Sequence, residues 1–136
     1  MQTLTYGSSV QTTLPMADAI NRVRELLKEQ GFNVICDIDV AKTLKEKVGI
    51  DFRPYVILGA CNPVLAHHAI LTESQIGLLL PCNIVIQVND NATEVSVISV
   101  KALMNVVGNS ELLKVAEEVD ARLTRVLAGF TTAAQV

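Results

Sequence analysis

The sequence predicts an α+β fold in which a mainly antiparallel sheet is covered by helices on one face. Three observations carry this expectation. Segments with strand and helix periodicity follow the order β-α-β-α-β-α-β-β-α, without the regular βαβ repetition of a doubly wound sheet. Ile84 to Val88 and Glu94 to Ser99 flank Asn89-Asp90-Asn91-Ala92-Thr93, whose Asn and Asp residues are the turn formers of a hairpin loop. Of the 136 residues half are apolar but only 4% aromatic, with no tryptophan, so a single core is built from Val, Ile, Leu and Ala. One domain over residues 1–130 and a frayed tail over residues 131–136 are expected.

Leu4 and Tyr6 alternate with Thr3, Thr5 and Gly7 at strand period and mark the first strand. Met16, Ala19, Ile20, Val23, Leu26 and Leu27 recur at helical spacing, with Pro15 placed for the first turn and Gly31 for the left-handed position after the last. Phe32, Val34, Cys36 and Ile38 then form one face of a strand, which turns Cys36 inward. Asp39 is placed to cap a helix carrying Val40, Ala41, Leu44 and Val48 and ended by Gly49. Tyr55 to Cys61 is a continuous apolar run with the length of a central strand, and Pro63 opens a helix through Val64, Leu65, Ala69 and Ile70. That helix carries His67 and His68 in different directions, so one of them at most faces inward. Leu112, Leu113, Ala116, Val119, Leu123, Val126 and Leu127 mark a long closing helix, entered through Asn109-Ser110 and left at Gly129.

Composition removes several classes of function. A net charge of −3 and no run of Lys or Arg disfavour nucleic-acid binding. The most apolar stretch, Ile76 to Val88, is interrupted by Pro81, Cys82 and Asn83 and is shorter than the roughly 20 residues of a membrane helix. Residues 1–13 lack the basic start and apolar middle of a secretory signal, and three cysteines fit reduced thiols better than a disulfide framework, so a cytoplasmic location is expected. No phosphate-cradling glycine loop and no G-x-S-x-G elbow occurs.

Cys61, His67 and Cys82 are the residue types that bind soft or borderline transition metals, although their spacing is none of the short Cys-x-x-Cys hooks and a fourth ligand has only Asp37 or His68 as candidates. Cys61 also stands just before a helix start, the setting that activates a thiol. The competing reading is that free cysteine packs like a small apolar side chain. Asp37 and Asp39 share a strand face and suit a cation, but Asp39 has the capping role. Lys42, Lys45, Lys47 and Arg53 are interleaved with Glu46 and Asp51 and read as a solvated helix face.

Cys61-Asn62-Pro63-Val64-Leu65-Ala66-His67 and Ile76-Gly77-Leu78-Leu79-Leu80-Pro81-Cys82-Asn83 resemble the bacterial and archaeal family called domain of unknown function 302. Gly31-Phe32, Asp37-Ile38-Asp39-Val40, Thr43-Leu44 and Asp51-Phe52-Arg53-Pro54-Tyr55 extend the resemblance over about residues 2–128, with departures at Asp37, where a longer carboxylate is usual, and at His68. It implies a TATA-binding-protein-like arrangement with inserted helices and a tendency to dimerise, and no activity. The leading expectation is a small-ligand-binding homodimer whose site draws on Asp37, Cys61, Asn62, His67, Pro81, Cys82 and Asn83. The alternatives are thiol, persulfide or transition-metal chemistry at Cys61, His67 and Cys82, and a structural or partner-binding dimer.

Overall fold

The computed structural model describes the backbone of residues 1–134 and the side chains of residues 1–130. Its elements are β1 (Gln2–Leu4), β2 (Gly7–Thr12), α1 (Met16–Glu29), β3 (Asn33–Asp39), α2 (Val40–Val48), β4 (Tyr55–Cys61), α3 (Pro63–Thr72), a 3-10 helix (Ser74–Leu79), β5 (Cys82–Asn89), β6 (Ala92–Ile98), α4 (Val100–Val107) and α5 (Leu112–Ala134). The six strands form one sheet in the order β1-β2-β6-β5-β4-β3, antiparallel throughout. The α+β class and the antiparallel sheet are those the sequence predicts.

Register decides which side chains meet the helices. Val10, Val95, Ile86 and Val56 lie opposite one another across four strands, as do Val97, Ile84 and Leu58 across three, and all are buried. Side chains two apart share a face, so these rows define one apolar face. α1 and α5 pack on it with Ala19, Val23, Leu27, Leu123, Leu127 and Phe130, all inaccessible to solvent. Truncating any of the large ones to alanine costs about 2–5 kcal/mol. The carboxyl end of α1 is also tied to the middle of α5: Arg122 Nη1 donates to the Gln30 carbonyl at 3.0 Å, and Arg125 Nε to Gln30 Oε1 at 2.8 Å. A cation there complements the carboxyl end of α1.

The structure departs from the sequence expectations at seven places. The first strand is a hairpin of two, β1 and β2, with the exposed Tyr6 in its turn. β2 has only Val10 as an apolar core residue, with Ser8 and Thr12 at the flanking positions of that face, so its alternation is weak. Pro15 caps α1 from outside its first turn. In β3 a bulge between Val34 and Cys36 breaks the expected row: Val34 stays opposite Ala60 on the helix side, while Cys36 lies opposite Gly59 on the other face and is half-buried. The turn between β5 and β6 is tighter than the predicted loop, because Asp90 and Asn91 both adopt positive φ, at 52° and 64°. The 3-10 helix occupies the start of the apolar run after Thr72.

The sixth departure is α4, bracketed by the Ser99 cap and by Gly108 at φ 77°. Its N-terminus is held from α5: Asp120 accepts from Val100 N at 2.7 Å, Lys101 N at 3.2 Å and Ser99 Oγ at 3.1 Å. The seventh is Gly129, which does not end α5. A Cβ there would come within 2.7–3.3 Å of the Leu26 side chain, so this glycine serves close approach of α5 to α1, and the helix runs on to Ala134. Of the expected tail, residues 135–136 lie outside the described residues.

The Asp120 carboxylate serves two elements at once, whereas Asp39 caps only the exposed α2 through Lys42 N at 2.9 Å. Asp120→Ala is expected to cost about 2–4 kcal/mol in urea denaturation, against about 1 kcal/mol for Asp39→Ala. Equal losses would show that the α4 junction is not an anchor.

Candidate functional site

β4 ends at Cys61 and β5 begins at Cys82, with Ala60 directly opposite Cys82, so strand pairing brings the two cysteines, distant in sequence, close together. Asn62 follows as the cap of α3. Its Oδ1 accepts from Leu65 N at 3.0 Å, and Pro63 fills the first helical turn. α3 and the 3-10 helix then cross this end of the core and return the chain to β5 through Leu80-Pro81, a cis peptide bond.

Beneath them lies an apolar cavity of about 40 Å³. Cys61, Asn62 and Cys82 bound it from the strand ends, Leu65 and Ile76 from the cover, and Met104 and Val119 from α4 and α5. Four alanines stand among its larger neighbours: Ala60 from the sheet, Ala66 and Ala69 from α3, and Ala116 from α5. Small side chains meeting from three elements leave the space that leucine would otherwise fill. It exceeds the roughly 10–15 Å³ that one water needs, and is far below the roughly 300–1,000 Å³ of a pocket for drug-sized molecules. Among the described residues no buried side-chain polar atom lacks a hydrogen-bond partner. The cavity therefore suits a small apolar occupant of a few heavy atoms.

The two thiols differ. Cys82 is buried, and its pKa is pushed up to about 11, first by burial, then by the nearby Cys61 and Asp120. It is protonated at neutral pH. Cys61 is only half-buried at the edge of the same cavity.

Of the residues singled out from sequence, Cys61, Asn62 and Cys82 are brought together at the cavity. The others are not. α3 turns Leu65, Ala66 and Ala69 inward, which leaves both His67 and His68 exposed on its outer side, where at most one was expected to face in. The set Cys61, His67, Cys82 is thus not assembled, and among the described residues no group of three His, Cys, Asp or Glu side chains converges for a metal ion. Asp37 pairs with Arg24 of α1. Pro81 lies against Gly59 beside Cys36, where a Cβ on residue 59 would collide with both, and Asn83 lines a groove on the face of the sheet away from α1 and α5. The residues that sequence reasoning missed are the α4 and α5 walls, Val100, Met104 and Ala116, and Asp120, which influences Cys82. The Ser99 to Gly108 bracket around apolar positions 100, 103, 104 and 107 is the signal that points to α4.

The sequence pattern of the family described as domain of unknown function DUF302 matches residues 8–130. A crystal structure of an uncharacterized conserved protein DUF302 from Bacillus stearothermophilus is similar, with a TM-score of 0.88 and 29% identity over 93% of this chain and 99% of that chain. No curated protein matches the chain. The resemblance read from Cys61 to His67 and from Ile76 to Asn83 is borne out.

Cys82 makes stability fall at alkaline pH. Below about pH 9 the thiol is protonated in folded and unfolded chains alike; from there to about pH 11 only the unfolded chain releases its proton, so the folded state loses ground as pH rises. For one group shifted this far the loss is about 2–3 kcal/mol. The stability difference between wild type and Cys82→Ala, measured by urea denaturation, should shrink across that window; a constant difference would contradict the placement of Cys82.

Proposed function

The chain belongs to the DUF302 family, and for this member we propose a small-ligand-binding domain that acts as a homodimer, with the apolar cavity beneath α3 as its binding site. The observation that carries this reading is an apolar space, kept open by alanines on three elements, closed by a weakly held cover. Ala69 is the only buried residue of α3, and Ile76 the only one of the 3-10 helix. Val64, Leu71 and Leu78 on the outside of that cover are largely exposed. A cover with so little buried surface opens at low cost compared with the sheet, which gives a ligand a way in. The lining offers apolar contact and two thiols, so the ligand class is a small apolar or thiol-seeking molecule.

Native mass spectrometry of the full chain as purified, together with xenon NMR, tests the reading. The expected result is a dimer carrying mass that is lost on denaturation, a saturable xenon shift, and loss of both in Ala69→Leu, which fills the space. An apo mass with a xenon response identical in wild type and Ala69→Leu would contradict it.

Thiol or persulfide chemistry is the second reading, favoured by the closeness of Cys61 to a buried, protonated Cys82. It assigns Cys61 as the reacting thiol and Cys82 as its silent neighbour. Iodoacetamide at neutral pH should then modify Cys61 faster than cysteine in the unfolded chain and leave Cys82 intact until unfolding. Modification of Cys61 at or below the unfolded rate removes this reading, and a structural dimer remains if both fail.

A further inference from the structure

The sheet has a second face, and among the described residues no helix side chain is buried against it. By register it carries Leu4, Ile98, Val85, Ile57, Tyr55 and Ile38, interleaved with amides and hydroxyls. Glu94 is the only charged residue that the strands place there, in a chain that is 18% charged. A solvated antiparallel face ordinarily alternates with charged side chains, whereas depletion of charge with apolar and aromatic groups marks the centre of an interface. A shallow groove of about 170 Å³ runs between Leu4, Tyr6, Val85 and Ile98, and the Tyr6 ring stands exposed at its rim.

A separate observation concerns α2, which contacts β4. Its apolar residues recur on one side, at Val40, Ala41, Leu44 and Val48, yet the helix has no buried residue. Val48 is 60% exposed, and Ile50 and Phe52 after it are exposed as well. An amphipathic helix owes most of its stability to packing of that stripe, and here Val40, Ala41 and Leu44 are only half-buried while Val48 is left to solvent.

We infer that the uncovered sheet face, with the apolar side of α2, is the surface on which a second copy of this chain docks. This rests on the homodimer part of the proposed function and not on its ligand. The occupant follows from chemistry and size. The one carboxylate on the face, Glu94, is linked through Gln87 to Arg53, so the patch is close to neutral and does not select a nucleic acid or an acidic membrane surface. Its accessible polar groups are Gln2, Gln11, Asn83, Gln87 and Ser96, which both donate and accept, so the face can meet its own copy across a twofold axis without repulsion. Five strands about 20 Å long and the three-residue β1, about 4.8 Å apart, present roughly 500 Å². The side of α2 brings this toward the roughly 800 Å² per partner of a stable interface.

Sedimentation of the full chain at micromolar concentration is the test, with circular dichroism as a check on folding. The wild type is expected to be a dimer. Val85→Lys, at the centre of the face, should be a folded monomer, and Tyr6→Ala, in an exposed turn that the fold does not need, should weaken the dimer at least about tenfold. Leu71→Lys, on the outer side of α3, should leave it a dimer. If Val85→Lys does not fold, Tyr6→Ala decides. A monomeric wild type overturns the homodimer reading and this surface together while leaving the cavity reading standing. A dimer that persists in both face variants, or one lost in Leu71→Lys, overturns the surface alone.

Discussion

Everything in this molecule depends on the one-sided packing of a fully antiparallel sheet. Because side chains alternate across a strand, register commits one set of Val, Ile, Leu and Ala residues to α1 and α5 and the other set to the opposite face. A slip of one residue in β5 would bring Val85 under the helices and expel Ile84 and Ile86, so the pairing is strongly specified. The Arg122 and Arg125 contacts to Gln30 and the close approach at Gly129 then fix α5 against α1 above this face. The second face is what that arrangement leaves over.

The cavity arises where the layered packing ends. α1 and α5 cover the middle of the sheet, while the ends of β4 and β5 are closed by α3, the 3-10 helix and α4, elements too short to bury much of their own. Alanine on three of the surrounding elements keeps the space open, and the α4 wall is anchored at a distance, by Asp120 reaching from α5 to the first amides of that helix. The same carboxylate adds to the field that keeps Cys82 protonated, so the junction and the inert thiol are physically linked. Cys61, half-buried at the edge, is the more accessible cysteine of the pair.

Where the sequence repeats a pattern over several turns, it is legible. α1 is read from six apolar residues at helical spacing between Pro15 and Gly31, and the β5-β6 hairpin from its Asn and Asp turn residues. What escapes sequence reading has its signal elsewhere in the chain. The β3 bulge that sends Cys36 to the second face is set by pairing with β4, and Gly129 reads as a terminator until Leu26 is seen beside it. At the site, residue types suggest a Cys, Cys, His set, but helix phase decides, and Leu65, Ala66 and Ala69 occupy the inward positions of α3. The nearness of Cys61 to Cys82 follows from the register of two strands, which no local pattern contains.

For the proposed binding function, the cover over the cavity has to open separately from the sheet it covers. Native-state hydrogen exchange of the full chain measures this most directly, since it resolves local from global opening. The amides of α3 from Leu65 to Thr72 are expected to exchange through openings well below the global free energy, while Leu58, Ile84 and Ile86 exchange only with global unfolding. Protection of α3 equal to that of the central strands would contradict it, because a cover that moves only when the whole protein unfolds admits nothing.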